Sequence, residues 1–389
     1  MTKTFFWKNR KLKTLLLSGV LATFPFFTLP SNESQAAQAK TVKVQQQRKI
    51  PVRVVVLTAF EIGKDSGDQA GELQNWVENY PLDKKIEAKD SYRGHYFYNE
   101  KDHVLALLMG EGHTSVAQSL TALLKDSRFD FSKSYFVLAG IAGGDPYKIS
   151  LGSVALARYV VNGGMSHMID PRDMPEGWQD PYLPVQSSEP YPIPRPEAHS
   201  QSGEMVYALN PSLVEWAFEK TSQLALSDNP RLEEARRAYP SYPAAQKAPQ
   251  VTLGDVISSE IFWAGPHSNA WAERWVDYWT DGKGWLATTA MEDLAVPLVL
   301  EREAKQGLVD PNRLLIFRSV SNFDLPPDGK KTADMFKQGE DENDGYVGLE
   351  ASVNNVYSVA SVVVRELSEH WETYKMALPS TESHSNLQK

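Results

Sequence analysis

Residues 52–59 (VRVVVLTA) and 104–109 (VLALLM) are unbroken apolar runs of strand length, and they constrain the chain more than any other feature. A strand with one wet face alternates apolar and polar residues, whereas one that is apolar throughout is covered on both faces. After the second run, apolar residues recur at Val116, Leu120, Leu123 and Leu124, the spacing of a helix face, before residues 135–138 (YFVL) return to strand character. Strand, helix and strand in close succession predict a parallel or mixed sheet flanked by helices, an α/β fold. The glycine-rich residues 140–144 (GIAGG) then predict a turn, and residues 153–161 a further strand.

Residues 171–196 hold eight prolines together with Trp178, Tyr182 and Tyr191, which excludes regular helix and central strand. An insertion of about residues 171–199 is expected, either a lid over a site or a passive surface loop. Residues 205–226 regain helical spacing, Pro240, Pro243 and Pro249 break the chain, and residues 251–262 resume strand character. The last third predicts a helix over 291–306, a strand over 313–320, a polar loop over 326–345 and a long amphipathic helix over 349–374. No internal repeat is visible, so residues 40–389 are expected to form a single domain.

The first 39 residues read as a secretory signal peptide. Lys3, Lys8, Arg10, Lys11 and Lys13 make a basic start, residues 14–29 are a largely apolar stretch interrupted by Ser18, Gly19 and Pro25, and Ala37-Gln38-Ala39 supplies a small-x-small cleavage pattern. The apolar run is short for a membrane anchor and is broken by Pro25, so export to the periplasm or the exterior is expected. Loss of this leader moves the net charge from −9 to −13, which repels phosphate backbones and excludes nucleic acid as a partner. The absence of cysteine excludes disulfides and thiolate catalysis. None of the eight histidines lies three or four residues from another, so the helical two-His ligand pattern is missing and neither a metal nor a resident cofactor is expected.

Four stretches have the composition of a site. Gly110-Glu111-Gly112-His113 links a strand to a helix, where it is either a tight turn or a place for an anion or a ribose hydroxyl. Residues 140–146 (GIAGGDP) end a strand and let backbone approach a ligand closely. In residues 288–295 (TTAMEDLA), Glu292 and Asp293 either favour a helix dipole or hold a ligand. Residues 318–324 (RSVSNFD) close a strand, where open α/β sheets place their ligands.

In this order the stretches resemble the nucleoside phosphorylase superfamily, most nearly its purine nucleoside permease branch. The resemblance runs through Leu57-Thr58-Ala59-Phe60-Glu61, the Gly-x-Gly at 110–112, Ser-Leu-Thr-Ala-Leu at 119–123, Tyr-Phe-x-x-x-Gly-Ile-Ala-Gly at 135–143, Thr-x-x-Glu-Asp-x-Ala at 289–295 and Arg-x-x-Ser-Asn-Phe-Asp-x-Pro-Pro at 318–327. It implies a three-layer phosphorylase-like fold, commonly an oligomer, hence a homo-oligomer here, with a purine nucleoside as the bound small molecule. It further implies that Glu292 holds the 2′ and 3′ hydroxyls, that Met291 packs on the ribose and that Asn322 or Asp324 addresses the purine. Gly110, Gly112, Ile141, Ala142, Gly143, Arg318 and Ser321 would complete the ligand site, and Phe262 and Trp263 stand where the superfamily sets an aromatic against the base, unless they are core. A carboxylate beneath the sugar suits this chemistry, because breaking an N-glycosidic bond leaves positive charge on the ring.

Two departures bear on the reaction. His113 stands where the branch has Lys, which makes a cationic contact there depend on pH. Asp145 would set a negative charge beside a bound phosphate, so water, with Glu61 as base, competes with phosphate as the nucleophile. The second reading is a non-catalytic nucleoside-binding component of a transport system; the mature chain has no apolar span with which to be a permease itself.

Overall fold

The computed structural model describes residues 49–196, 205–336 and 347–381, so the leader expected at residues 1–39 lies outside the described residues. Residues 47–389 group as one unit. Among the described residues twelve strands share one mixed sheet, more than the apolar runs suggest: the strands at 84–87, 95–99, 206–208 and 286–290 were not expected. β1 (Val54–Thr58) precedes α1 (Gln74–Asn79), the hairpin of β2 (Lys84–Glu87) and β3 (His95–Asn99), and β4 (Val104–Leu108). α2 (Gly112–Lys125) crosses over to β5 (Tyr135–Gly144), followed by β6 (Val154–Leu156), β7 (Tyr159–Asn162) and β8 (Val206–Ala208). α3 (Pro211–Thr221) and α4 (Pro230–Arg237) lead to β9 (Val251–Leu253), β10 (Asp255–Ser258) and α5 (Pro266–Trp279). β11 (Leu286–Ala290), α6 (Ala295–Ala304), β12 (Leu314–Phe323), α7 (Leu349–Glu369) and the short α8 (Trp371–Tyr374) complete the chain.

The main path of the sheet is β8-β7-β10-β11-β5-β1-β4-β3-β2, with β12 and β6 branching from β5 and β9 beyond them. β1 runs parallel to β4 on one side and to β5 on the other, and β5 runs parallel to β12. β11 is antiparallel to β5. Every residue of β1 and β4 is buried, as continuous apolar strands require. The covering helices fall into two groups, α7 with α1 and α3, and α2 with α6. α2 presents Val116, Leu120, Leu123 and Leu124 to the core, the residues its period picked out. The α/β reading with a mixed sheet and flanking helices holds.

Several local expectations change. The glycines at 140–144 continue β5 as strand, because β12 pairs with them along its length, from Arg318 opposite Gly140 to Phe323 opposite Gly144. The strand expected over 153–161 is two strands, β6 and β7, broken where Asp255 Oδ1 accepts the N–H groups of Arg158 and Tyr159. The helix expected from Met291 starts at Ala295, and the long C-terminal helix breaks at His370. Residues 205–226 split into β8 and α3.

Candidate functional site

The parallel strands β1 and β4, with β5 between β1 and β12, bring their carboxyl ends to one place, and there the chain leaves a cavity of about 290 Å³. Ala59 and Phe60 line it beyond β1, and Glu111 beyond β4. The far half of β5 contributes Ile141, Ala142 and Gly143. Because β11 is antiparallel to β5, pairing Thr288 with Gly144 and Thr289 with Gly143, its exit heads back along β5 and delivers Met291 and Glu292 to the cavity beside Ile141. The pairing of β12 with β5 shifts register at Ser321. Such a bulge turns neighbouring side chains toward one side. Ser321 and Asn322 accordingly both line the cavity, although successive strand residues ordinarily face apart.

Four charged side chains meet at the floor. Arg318 is buried and forks onto Asp293, with Nε 3.0 Å from Oδ1 and Nη2 2.8 Å from Oδ2. Nη2 also donates to Glu292 Oε2 at 2.8 Å, and Nη1 to the Ile141 carbonyl at 2.8 Å, lying 3.8 Å from Glu72 Oε1. The other oxygen of Glu292 accepts the Gly112 N–H at 3.0 Å. Gly112 is the first residue of α2 and has φ of 81°, a conformation that favours glycine, so an unpaired amide and the positive end of the helix are aimed at the carboxylate. The anion expected at this turn is therefore Glu292 itself.

Glu72 was not singled out from the sequence. Its carboxylate accepts Ala59 N–H at 2.6 Å and Ile141 N–H at 2.7 Å, and it is 1% exposed while lining the cavity. Burial pushes its carboxyl up to about 7, against the pull of Arg318 and with a further push from Glu292. The loop after β1 folds back to bring it there, and Glu61 closes that loop by accepting the N–H groups of Gly71, Gln74 and Ile62. Glu61, expected as the base, is thus spent on backbone and does not line the cavity, whereas Glu72 does. A signal existed in Glu72 itself, an acid between Gly71 and Leu73 shortly before the buried Trp76.

Gly140 explains part of the glycine run. A Cβ there would come within 2.6 Å of Glu72 Oε1 and nearer still to Arg318 Nη1. The glycine makes room for an internal ion pair rather than for a ligand. Gly140→Ala is expected to destabilise the fold by about 1–3 kcal/mol through overpacking, read as a lower denaturation midpoint; an unchanged midpoint would show that the pair can move aside.

Other expected site residues lie elsewhere. Asp324 is buried off the cavity, accepting Asn269 Nδ2 at 3.2 Å, and burial with the nearby Asp145 raises its carboxyl well above the usual range. Asn322 is therefore the one of the two that faces the cavity. Gly110 does not line it, and Gly112 acts through its amide on Glu292. Phe262 lines the mouth and is 67% exposed, whereas Trp263 packs edge-on against Trp271 with ring centres 6.0 Å apart. His113 Nε2 meets Ser258 Oγ at 2.9 Å outside the cavity. Asp145 is buried beyond β5 beside Glu273, so the negative charge expected next to a phosphate is not there. The described residues of the proline-rich segment do not line this cavity: Tyr182 packs on Trp271 at 4.5 Å and Tyr191 on Tyr278 at 5.4 Å, both against α5, and Trp178 lies off it.

A sequence profile of the purine nucleoside permease family matches residues 51–379. The chain belongs to that family. A probable purine nucleoside permease of Schizosaccharomyces pombe is 31% identical over 70% of this chain and 78% of its own, and a purine nucleoside permease of Candida albicans is 26% identical over 89% and 80%. Among solved structures, a 5′-methylthioadenosine/S-adenosyl homocysteine nucleosidase of Campylobacter jejuni is similar with a TM-score of 0.48 at 14% identity, covering 82% of this chain and 99% of that one. A futalosine hydrolase of Helicobacter pylori is similar with a TM-score of 0.46 at 14% identity, covering 81% and 98%. No helix among the described residues of this family member is long and apolar enough to cross a membrane.

Proposed function

We propose that the chain binds a purine nucleoside in this cavity and hydrolyses its N-glycosidic bond. The observation that carries the reading is the pairing, in one cavity, of a carboxylate bonded to Arg318 (Glu292) with a second, buried carboxyl raised to about 7 (Glu72). Glu292 keeps lone pairs free beyond its two bonded donors and would grip the ribose hydroxyls, strengthening as the ring becomes cationic. Glu72 would take the proton of the attacking water. Ser321 Oγ donates to Asn322 Oδ1 at 2.9 Å and Asn322 Nδ2 meets the Phe323 carbonyl at 3.4 Å, so the second N–H of Nδ2 would be the one to reach an acceptor such as a purine ring nitrogen. Phe262 would cover the base from the mouth. A cavity at the lower end of the ~300–1,000 Å³ range of small-molecule sites suits one nucleoside.

Water is favoured over phosphate by charge. The ionisable lining residues are Glu72, Glu111, Glu292 and Arg318, and Arg318 already has four of its five N–H donors engaged. A phosphate dianion would find carboxylates and no free cation among the described lining residues. Inosine or adenosine incubated with the protein should release free base at the same rate with and without phosphate. Release only with phosphate would make it a phosphorylase.

The relatives' names favour a second reading, a binding component of nucleoside transport. Tight nucleoside binding with no base released in either buffer would select it.

A further inference from the structure

Asp293 follows Glu292 in the chain but does not line the cavity and is fully buried. Both its oxygens are taken by Arg318, and a two-point fork of this kind leaves the guanidinium a single plane to lie in. In that plane the second hydrogen of Nη2 reaches Glu292 Oε2, and Nη1 reaches the Ile141 carbonyl. The Ile141 N–H, on the same peptide segment, donates to Glu72. One side chain that cannot meet a ligand thus orients the group that holds both carboxylates in place.

We propose that Asp293 is a positioning residue: by clamping Arg318 it sets where Glu292 stands and how much positive charge Glu72 feels. This rests on the nucleosidase reading above. The charged groups facing Glu72 are Arg318 from β12 and Glu292 from the turn after β11, with the amides of Ala59 and Ile141; Asp293 lies behind Arg318. With all four side chains ionised the cluster carries two more negative charges than positive. Burial is what raises the Glu72 carboxyl against the pull of Arg318, and Asp293, paired with the same guanidinium, offsets part of that pull. A residue that only filled space would have no such effect.

The test is Asp293→Asn in the full chain, with inosine cleavage followed from about pH 5 to about pH 9 beside thermal unfolding. Less compensated, Arg318 should draw the Glu72 proton off earlier, moving the acid limb of kcat/KM down by about one pH unit. kcat should fall by up to about a hundredfold as Glu292 loses its seat, with a smaller change in KM. An unmoved acid limb with kcat within about twofold of wild type overturns the proposal. If Asp293→Asn does not fold, Arg318→Lys decides. Lysine keeps the charge but cannot hold Asp293 and Glu292 in one plane, so kcat should fall with the acid limb in place, and equal turnover overturns the proposal. Failure of both variants to fold would assign the pair to the core and also overturn it. If wild type itself releases no base, the nucleosidase reading has failed separately. The inosine Kd of Asp293→Asn then stands in: weakening by about tenfold supports the positioning role, and an unchanged Kd removes it.

Discussion

Glu72→Gln should slow release of purine base by about 10²–10⁴-fold, the usual contribution of a positioned general base. The carboxyl is 1% exposed and pushed up to about 7, so at neutral pH it is poised to accept a proton from water. In wild type, kcat/KM should rise with pH through about 7 and level off above it, since only the ionised form is a base. The same shift has a consequence for stability. Glu72 holds its proton more tightly folded, about 7, than unfolded, where the ordinary value is 4.5. The native state therefore binds more protons in that window, and stability must fall as pH rises from about 4.5 to about 7. A shift of this size corresponds to about 3 kcal/mol. Gln cannot ionise, so the variant should lose that fall as well as the activity, even though it satisfies only one of the two amides that Glu72 accepts. Unfolding curves at pH 5 and pH 7.5, run beside base release, separate the two effects. A folded Glu72→Gln that releases base within about tenfold of wild type, with the acid limb unmoved, would place the base elsewhere.

Glu72 also shows where the sequence stops being readable. β1, β4 and α2 were legible because their apolar spacing is local and the physics that buries it is not in competition with anything. α5 carries a helical signal that strand-length runs do not reveal: Trp271, Trp275 and Trp279 recur at intervals of four after Pro266 at the first turn. Gly140 to Gly144 looked like a turn by composition, yet the ladder to β12 overrides that preference, and the missing side chain at 140 serves the Arg318–Glu72 contact. Glu292, Asn322 and Arg318 could be picked out because each lies at a strand end whose motif is contiguous. Glu72 reaches the cavity only because Glu61 ties the loop after β1 to the start of α1, a closure made by backbone amides that no spacing rule encodes. The choice between Asn322 and Asp324 was equally hidden, since it depends on the bulge at Ser321 and on Asn269 of α5 accommodating the buried acid.

Glu292→Gln is the second large effect expected, and the structure sharpens it. Both Glu292 oxygens accept from fixed donors, Gly112 N–H and Arg318 Nη2, so an amide can satisfy only one of them and sets its own NH₂ against the other. Losing the charge removes an interaction that is strongest when the sugar is cationic. That loss is worth roughly 2.7–4 kcal/mol, a hundredfold to a thousandfold in kcat. The donor conflict adds a ground-state cost, which should show as weaker nucleoside binding and some loss of stability, with the two buried donors competing for one oxygen. Comparison of substrates separates these contributions. A 2′-deoxynucleoside lacks one of the hydroxyls that Glu292 would hold, so it should be a poor substrate for wild type but lose less than a ribonucleoside in the variant. If deoxy and ribo substrates lose equally, Glu292 acts through Arg318 and the fold rather than on the sugar. A folded variant that cleaves both as fast as wild type would remove the ribose site from this end of the cavity.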